Sequence, residues 1–472
     1  MVEATSLARE MDEQHSWRLL PQFADLRVFD QLLANEFRDP EDIARGQATA
    51  VSRILEFAAA KVPYYRRLFD SLGIVPRRGQ GLAVLGRLPL LTKADVQDHK
   101  EALRATALPQ GQKVYGWAAS SGTTGRPTRV LHSVESNLMY NYLEQRQLRW
   151  FRWNPRGLRA DIRISTQFPP TGTQEPPQLG SSFRMNRWRY VGQFFETGDY
   201  TGLCVTAPLE AQIEWLQGLR PAYLMAYPST FERLAHALGP AAGDIGLRGV
   251  YAISEQITAS MRRRIEGGFG LAVDQTYGLN EAGKVAQRCR AGRYHVNAEH
   301  CYVEILDNEG VPCKAGESGR LVITSLRNLA MPLLRYDSGD LAEAVEGDCP
   351  CGMTLPSFGP ITGRYRRMAG APEGTSLQVF LLKKALESMP PEVCANLRQY
   401  QIRQKRDGSY VILLKIAAAL PDAFEDRLQH AWRRELPDER PGLVLQTVED
   451  IPLSPSGKVE DFISDIATTD ML

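Results

Sequence analysis

Apolar residues recur at helical spacing near the beginning of the chain. In residues 47–68, QATAVSRILEFAAAKVPYYRRL, they return every three or four positions. Pro63 interrupts this pattern, and proline disfavours the helical conformation of the residue before it. The segment is therefore predicted to be a helix that ends at Pro63.

Short apolar runs alternate with amphipathic segments in the middle of the chain. Strands are predicted at residues 222–228, 249–254 and 271–278, and helices at residues 229–238 and 257–270. Ser229 is the expected N-cap of the first helix, and Gly267 or Gly268 the expected end of the second. Strands that alternate with helices favour a parallel sheet with helices on its faces.

The pattern changes twice in the second half of the chain. Residues 300–326 alternate apolar and polar positions in short runs, which predicts a smaller β-rich subdomain. Residues 363–370, GRYRRMAG, have the composition of a hinge. The fold class is α/β, with a large N-terminal domain at residues 1–362 that has parallel sheets and the β-rich subdomain. A small C-terminal α+β domain is expected at residues 371–472.

Composition narrows the possible functions. The chain has 472 residues, 43% hydrophobic and 24% charged, as expected for a globular enzyme with more than one domain. Its net charge of +1 provides no field that would attract nucleic acid or anionic lipid. The first residues do not resemble a signal peptide and no long apolar run follows, so a cytoplasmic location is expected. Seven cysteines, an odd number, argue against a disulfide framework.

A loop rich in glycine and hydroxyl side chains follows the apolar run VYGWAA. Its glycines free the backbone, and its hydroxyl and amide groups can bind phosphate oxygens. The spacing differs from the Walker motif, and a surface loop without a ligand is the alternative. The loop consists of Ser120, Ser121, Gly122, Thr123, Thr124, Gly125, Arg126, Pro127 and Thr128.

This loop and seven other motifs occur in an order that resembles the adenylate-forming enzymes. That family includes acyl-coenzyme A synthetases and peptide-synthetase adenylation domains, and the likeness is strongest to phenylacetate-coenzyme A ligases. The resemblance spans most of the chain. The motifs are VPYYR (62–66), LPLLTKADV (88–96), SSGTTGRPT (120–128), YGLNEAG (277–283), MPLLRYDSGD (331–340), CPCGMTLP (349–356), GR (363–364) and PLSPSGK (452–458).

The resemblance implies an ATP site. Tyr277 is expected to stack on adenine and Glu281 to hold Mg²⁺, a hard cation that prefers carboxylate and phosphate oxygens. Asp340 is expected to accept hydrogen bonds from the ribose hydroxyls. The alternative is that these side chains are solvated, lie beside turns and bind no nucleotide. The full implied ATP-binding set is Ser120, Ser121, Gly122, Thr123, Thr124, Gly125, Glu255, Tyr277, Gly278, Asn280, Asp340 and Arg364.

The same resemblance implies a catalytic lysine on a mobile C-terminal domain. Lys458 corresponds to the lysine that approaches the carboxylate and the α-phosphate, where an ammonium reduces the repulsion between two anions. Arg366 is the expected hinge pivot, where relatives commonly carry an acidic residue. The segment that follows, 368–380, also departs from phenylacetate ligases, so the acyl acceptor stays open.

Four residues have the chemistry of a zinc site. Cys289, His295, Cys349 and Cys351 supply the number of soft or borderline ligands that a closed tetrahedral site needs. Phenylacetate ligase-like proteins carry these residue types at matching positions. The alternative is that these four residues are buried in the core and bind no metal.

The expected reaction converts a carboxylic acid, implied by the resemblance to be aromatic or ring-like, and Mg·ATP to an acyl-adenylate and pyrophosphate. Coenzyme A is the expected acceptor, with an amine or a carrier-protein thiol as alternatives. The alternative outside the enzymes is a non-catalytic protein that binds nucleotide or acyl ligand as a sensor. No nucleic acid or membrane partner is expected, and the oligomeric state is open, with a homodimer as a candidate. Four aromatic residues either line the acyl pocket or belong to the core: Trp188, Tyr190, Phe194 and Phe195.

Overall fold

The fold is given by a computed structural model. The described residues are 17–18, 20, 27–119, 128–164, 168, 181–364, 379, 382–383, 385–386, 389–390, 392–394, 396–435, 441–452 and 462–466. The helices are α1 (Arg27–Ala34), α2 (Pro40–Lys61), α3 (Pro63–Leu72), α4 (Gly81–Leu85), α5 (Lys93–Asp98), α6 (Val134–Trp150), α7 (Leu209–Leu219), α8 (Pro228–Leu238), α9 (Ala259–Phe269) and α10 (Asp422–Glu435).

The strands form four sheets. They are β1 (Val114–Ala119), β2 (Arg129–Ser133), β3 (Arg159–Arg163), β4 (Ser182–Met185), β5 (Tyr200–Cys204), β6 (Tyr223–Ala226), β7 (Gly249–Ala252), β8 (Val273–Leu279), β9 (Gly283–Arg288), β10 (Tyr294–Val296), β11 (Cys301–Leu306), β12 (Ser318–Ser325), β13 (Tyr336–Glu343), β14 (Ser357–Phe358), β15 (Ile361–Arg364), β16 (Leu397–Gln404), β17 (Tyr410–Ile416), β18 (Leu443–Val448) and β19 (Phe462–Ser464).

The predicted first helix is two helices. Asp39 caps α2, which begins with Pro40 and ends at Lys61. Pro63 then occupies the first turn of α3, a position that proline tolerates because the first helical N–H groups have no partner within the helix. The proline therefore ends one helix and begins the next, which the apolar spacing alone did not reveal.

The largest sheet has nine strands in the order β14-β10-β9-β8-β7-β6-β3-β5-β4. Its centre, from β8 to β5, is parallel, and antiparallel strands flank it on both sides. All four residues of β6 are buried, as expected for a strand covered on both faces. Helices α8 and α9 pack against one apolar cluster of this sheet and α6 against another. The predicted alternation of strand and helix is confirmed.

Two predicted helix ends are wrong. Helix α8 begins at Pro228, one residue before Ser229, and no side chain of its N-cap residue Tyr227 caps it. Helix α9 continues through both candidate glycines to Phe269, and Gly270 ends it with φ of 65°. Gly268 is required for another reason: a Cβ there would lie 2.6 Å from the Ala235 Cβ of α8. Close helix packing, rather than helix termination, accounts for that glycine.

Three smaller sheets complete the fold. Strands β1 and β2 pair with each other, and the predicted β-rich part contains the antiparallel sheet β11-β12-β13-β15. Strands β16 to β19 form a separate sheet in the order β18-β17-β16-β19. Together with α10 they give the C-terminal part the expected α+β character. The division at residue 362 stays a prediction, and residues 365–370 of the expected hinge lie outside the described residues. Among the described helices, none combines the length and apolar character needed to cross a membrane.

Candidate active site

The last residues of β8 and the turn that joins it to β9 carry several of the predicted nucleotide residues. This turn lies at the carboxyl end of β8, the edge of a parallel sheet where ligands usually bind. Gly278 has no room for a side chain, because a Cβ would lie 2.7 Å from the carbonyl oxygen of Gly283. Tyr277, by contrast, is a buried residue whose ring meets Phe358 edge-on at 6.2 Å.

Asp340 lies next to this turn. The Tyr277 hydroxyl donates to its Oδ2 at 2.7 Å, and both residues are buried. Asp340 also pairs with Arg364 across β13 and β15, so the backbones of these two predicted ribose-binding residues are neighbours. Three predicted nucleotide residues, distant in sequence, therefore meet at one place.

Asn280 connects the turn to the strand before the predicted phosphate loop. Its Nδ2 donates to the carbonyl oxygen of Ala119 at 2.7 Å, and Ala119 directly precedes Ser120. His132, on β2, donates from Nε2 to the carbonyl oxygen of Asn280 at 3.0 Å. Residues 120–127 lie outside the described part of the chain, but the ends of both flanking strands are close to the turn.

Buried side chains fix the position of Glu281. Tyr336 donates to its Oε1 at 3.3 Å. His300 lies 2.8 Å from the carbonyl oxygen of Ala282 through Nε2, which must carry the proton because a carbonyl only accepts. Burial lowers the pKa of His300 to about 4, so the imidazole is neutral at pH 7. Burial also lowers the pKa of His132.

Glu255 has a capping contact in addition to its predicted nucleotide role. Its Oε2 accepts from the Ser229 backbone N–H at 2.9 Å, and its Oε1 accepts from the Ser229 hydroxyl at 3.0 Å. A carboxylate is favoured at a helix N-terminus, where backbone N–H groups lack partners. Glu255 thus takes the capping role that the sequence pattern assigned to Ser229.

The four predicted zinc ligands lie together. The ligand atoms of Cys289, His295, Cys349 and Cys351 all lie within 4.8 Å of one another. The Cys289 and Cys349 sulfur atoms are 3.6 Å apart, close to the separation of about 3.8 Å that two thiolates have on one tetrahedral zinc. His295 donates from Nδ1 to the Leu355 carbonyl oxygen at 3.0 Å, which directs Nε2 toward Cys351. Such a backbone contact commonly orients a metal-binding histidine.

The four aromatic residues considered for the acyl pocket divide into two groups. Trp188, Phe194 and Phe195 are buried in an apolar cluster beneath the large sheet. Tyr190 is half-buried, and its ring meets Tyr140 of α6 at 5.3 Å. The core interpretation is therefore correct for three of them.

A buried ionic network between α6 and the sheet was missed by the sequence analysis. Lys284 pairs with Glu144 at 2.5 Å and Arg159 pairs with the same carboxylate at 3.3 Å. Burial lowers the pKa of Lys284, but the attraction of Glu144 and two nearby tyrosines and the hydrogen bond to Glu144 together outweigh it, so the pKa lies well above its usual value. No motif marks these residues; the only sequence signal is an unusual run of polar residues, 144–147, in the middle of a buried helix.

Lys458 and Arg366 lie outside the described residues, as does the predicted phosphate loop. The described part of the predicted site therefore consists of Glu255, residues 277–281 at the end of β8 and in the following turn, Asp340 and the backbone of Arg364.

The relatives of this chain are consistent with this geometry. No protein-family model matches. The chain is 28% identical over 377 residues to a phenylacetate-coenzyme A ligase of Thermus thermophilus, a match that covers 77% of this chain and 78% of that protein. It is 29% identical over 350 residues to a phenylacetate-coenzyme A ligase of Escherichia coli K12, covering 71% and 75%.

The fold also resembles that of a 2-hydroxyisobutyryl-CoA ligase crystallised in the postadenylation state with 2-HIB-AMP. The TM-score is 0.68 at 18% identity, and the superposition covers 91% of each chain. The sequence relatives and the fold together support the adenylate-forming superfamily. The expectation drawn from the eight ordered motifs is thereby confirmed, and the sequence of this adenylate-forming ligase is similar to those of phenylacetate-coenzyme A ligases.

Proposed function

We propose that this ligase activates a carboxylic acid with Mg·ATP, releases pyrophosphate and transfers the acyl group from AMP to coenzyme A. The observation that carries the proposal is the buried contact of 2.7 Å between Tyr277 and Asp340, beside a turn whose close backbone approach requires glycine at position 278. An aromatic face and a carboxylate side by side suit adenine and the ribose hydroxyls.

Glu281 is the proposed Mg²⁺ ligand. It lies three residues beyond Gly278, and its buried carboxylate keeps a fixed position through Tyr336. Lys458 is the proposed catalytic cation, and the phosphate loop at residues 120–125 is proposed to bind the phosphates. The contact between Asn280 and Ala119 brings the end of β1, the strand before that loop, next to the turn that carries Glu281.

The acid is proposed to be aromatic, because sequence relatives over about three quarters of the chain are named as phenylacetate-coenzyme A ligases. Transfer to an amine or to a carrier-protein thiol is the second candidate. It is favoured by Arg366 and Arg367, which occupy positions where phenylacetate ligases carry acidic residues.

Zinc is the proposed occupant of the cluster of three cysteines and one histidine. All four ligand atoms converge and no fifth position is needed, so the chemistry supplied would be structural cross-linking of β9, β10 and the loop before β14. The proposed function does not depend on this metal for any chemical step.

The reaction can be tested with purified protein, Mg·ATP, a panel of carboxylic acids and three acceptors offered separately: coenzyme A, small amines and an acyl-carrier protein. Mass spectrometry of the products should find AMP and an acyl-coenzyme A. If the product were instead an amide or an acylated carrier protein that forms only with the acid present, only the proposed acceptor would change. ATP binding without acid-dependent AMP from any acid would support a non-catalytic sensor and contradict the proposal.

A further inference from the structure

A cluster of polar side chains lies between α6 and the carboxyl end of the large sheet, outside the nucleotide residues. Arg159, Asp161 and Arg163 share one face of β3 because side chains alternate along a strand. Asp161 accepts from Arg159 at 3.2 Å and lies 3.8 Å from Arg163. Tyr200 also donates to Asp161 at 2.5 Å. Arg163 ends the strand and faces the edge where the nucleotide residues lie.

Helix α6 covers this face. Glu144 lies above Arg159, and Tyr140 is one helical turn closer to the edge of the sheet. The Lys284 ammonium lies 4.9 Å from the centre of the Tyr140 ring. Lys284 is itself held by Glu144 and by Gln147, which accepts at 2.6 Å. The ring of Tyr140 is therefore fixed in place.

Tyr140 is next to the turn that carries Glu281. A Cβ added to Gly283 would lie 3.8 Å from Cδ2 of Tyr140. The tyrosine therefore adjoins the turn that carries Glu281, at the predicted site of acyl-adenylate formation.

Tyr190 completes the cluster from the loop after β4. Its ring meets Tyr140 at 5.3 Å and an angle of 67°, and the Arg189 guanidinium lies 4.8 Å from its centre. Its backbone has φ of 65° and ψ of −54°, a conformation that costs a bulky residue about 1–3 kcal/mol and is concentrated at ligand sites. The fold thus holds this ring in a conformation that an ordinary loop residue avoids.

Both hydroxyl groups are available. Within the described part of the chain, neither the Tyr140 nor the Tyr190 hydroxyl has a hydrogen-bond partner. Burial raises the pKa of Tyr190 to about 12 and raises the pKa of Tyr140, so both hydroxyls carry their protons at pH 7. Neither hydroxyl oxygen is fully buried, so a substrate group can reach it and form a hydrogen bond there.

We propose that Tyr140 and Tyr190 determine specificity by hydrogen-bonding a ring hydroxyl of the acid, so that the substrate is a hydroxylated aromatic acid. A neutral hydroxyl on the acid suits this cluster better than a second carboxylate on the acid would. The cations Arg163 and Lys284 already pair with Asp161 and Glu144. A hydroxyl can also donate and accept at once, which matches two tyrosines. This inference rests on the proposed function and names the substrate class of that site.

The test uses pairs of aromatic acids that differ only by hydroxyl or methyl at one ring position, such as 4-hydroxyphenylacetate and 4-methylphenylacetate and their 3-substituted isomers. kcat/KM is measured by acid-dependent exchange of pyrophosphate into ATP. The unmodified enzyme should prefer the hydroxyl member of at least one pair by about 10- to 100-fold, since a methyl group leaves the tyrosine hydroxyls unpaired.

Tyr140→Phe and Tyr190→Phe keep both rings and should each reduce that ratio about tenfold, mainly by lowering kcat/KM for the hydroxylated acid. Tyr142→Phe is the matched control, because Tyr142 lies on the same helix but packs against Phe194. A methyl acid used as well as its hydroxyl partner in every pair would overturn the inference, as would a ratio unchanged in both variants. Absence of exchange with every acid would instead overturn the proposed function.

Discussion

The Tyr277 hydroxyl and the Asp340 carboxylate meet where little water can compete for them. Their contact of 2.7 Å joins β8 of the large sheet to β13 of the smaller one. A hydrogen bond to a charged group contributes about 1.5–3 kcal/mol, more than most contacts of an exposed side chain. Single substitutions at this place should therefore have measurable effects on nucleotide binding.

Asp340→Asn should raise KM for ATP about 10- to 100-fold, because an amide offers one acceptor atom where the ribose hydroxyls and Tyr277 need two. KM for the acid should change by no more than about twofold. Initial rates at varied ATP and varied acid separate the two constants. Glu343→Gln, on the same strand, is the control and should resemble the unmodified enzyme. An equal rise of both constants in Asp340→Asn would contradict a ribose-binding role.

His300 should make folding stability depend on pH. Its pKa is about 4 in the folded protein against 6.5 for an unperturbed histidine, so the unfolded chain binds more protons between these values. The free energy of unfolding should therefore fall as the pH decreases from 6.5 to 4, by up to about 1.4 kcal/mol per pH unit from this group.

His300→Gln isolates that contribution, because the glutamine amide can still donate to Ala282 but does not titrate. Denaturant unfolding of both proteins from pH 4 to 7 should give a stability difference that changes with pH in this window. Glu36, with a pKa raised by burial to about 7, acts in the opposite direction in both proteins and cancels in the difference. Parallel pH profiles would contradict a buried neutral His300.

Single elements position the site through contacts that span long stretches of sequence. The N-terminus of α8 is capped from beyond β7 by Glu255, and the cysteine and histidine cluster joins β9 and β10 to a loop 54 residues further along. The cluster also contacts α6, since the Trp150 ring meets His295 edge-on at 5.9 Å. A metal there would stabilise the flank of the sheet that carries Tyr277.

The purified protein should contain about one zinc per chain after exhaustive exchange into metal-free buffer, measured by inductively coupled plasma mass spectrometry. Cys349→Ser should lose most of that zinc, because a closed site needs all four ligands. Cys313→Ser changes a cysteine outside the cluster and should keep it. If the unmodified protein contained no zinc, and if adding zinc did not change its thermal unfolding midpoint, the four residues would be interpreted as part of the apolar core.

Element types were easier to predict than element ends. The strands β6, β7 and β8 and the helices between them follow from apolar periodicity, which depends on neighbouring residues only. Ser229 and Gly268 were misassigned because their roles depend on Glu255 and Ala235, whose proximity only the folded chain creates. Residue chemistry predicted the cluster of Cys289, His295, Cys349 and Cys351, whose zinc stays a prediction, while the Lys284 network has no motif and was not found.

The whole molecule is proposed to work by moving its C-terminal part between two half-reactions. The resemblance predicted nucleotide residues from motifs, but a motif gives no relative position for the two parts of the chain. The backbones of Asp340 and Arg364 are neighbours because β13 pairs with β15, and a hydrogen bond joins Tyr277 to Asp340. Their shared role in nucleotide binding stays a prediction. The choice of acceptor is proposed to depend on residues 366–380, a segment that lies largely outside the described residues.

Lys458→Ala should reduce adenylation by about 10²- to 10⁴-fold, because a preorganised cation is lost from the transition state. Transfer of the acyl group from supplied acyl-AMP should stay within a few-fold of the unmodified rate, since the lysine is proposed to leave the site in that step. Lys405→Ala, an exposed lysine paired with Asp465 at 3.7 Å, is the control. Equal loss of both half-reactions would contradict movement of the C-terminal part between two states.

Exchange of labelled pyrophosphate into ATP tests carboxylate activation most directly, because it requires reversible formation of the acyl-adenylate and no acceptor. We expect exchange that depends on an aromatic carboxylic acid, is absent without acid and is lost in Lys458→Ala. Protein that binds ATP but supports no exchange with any aromatic or aliphatic acid would contradict carboxylate activation.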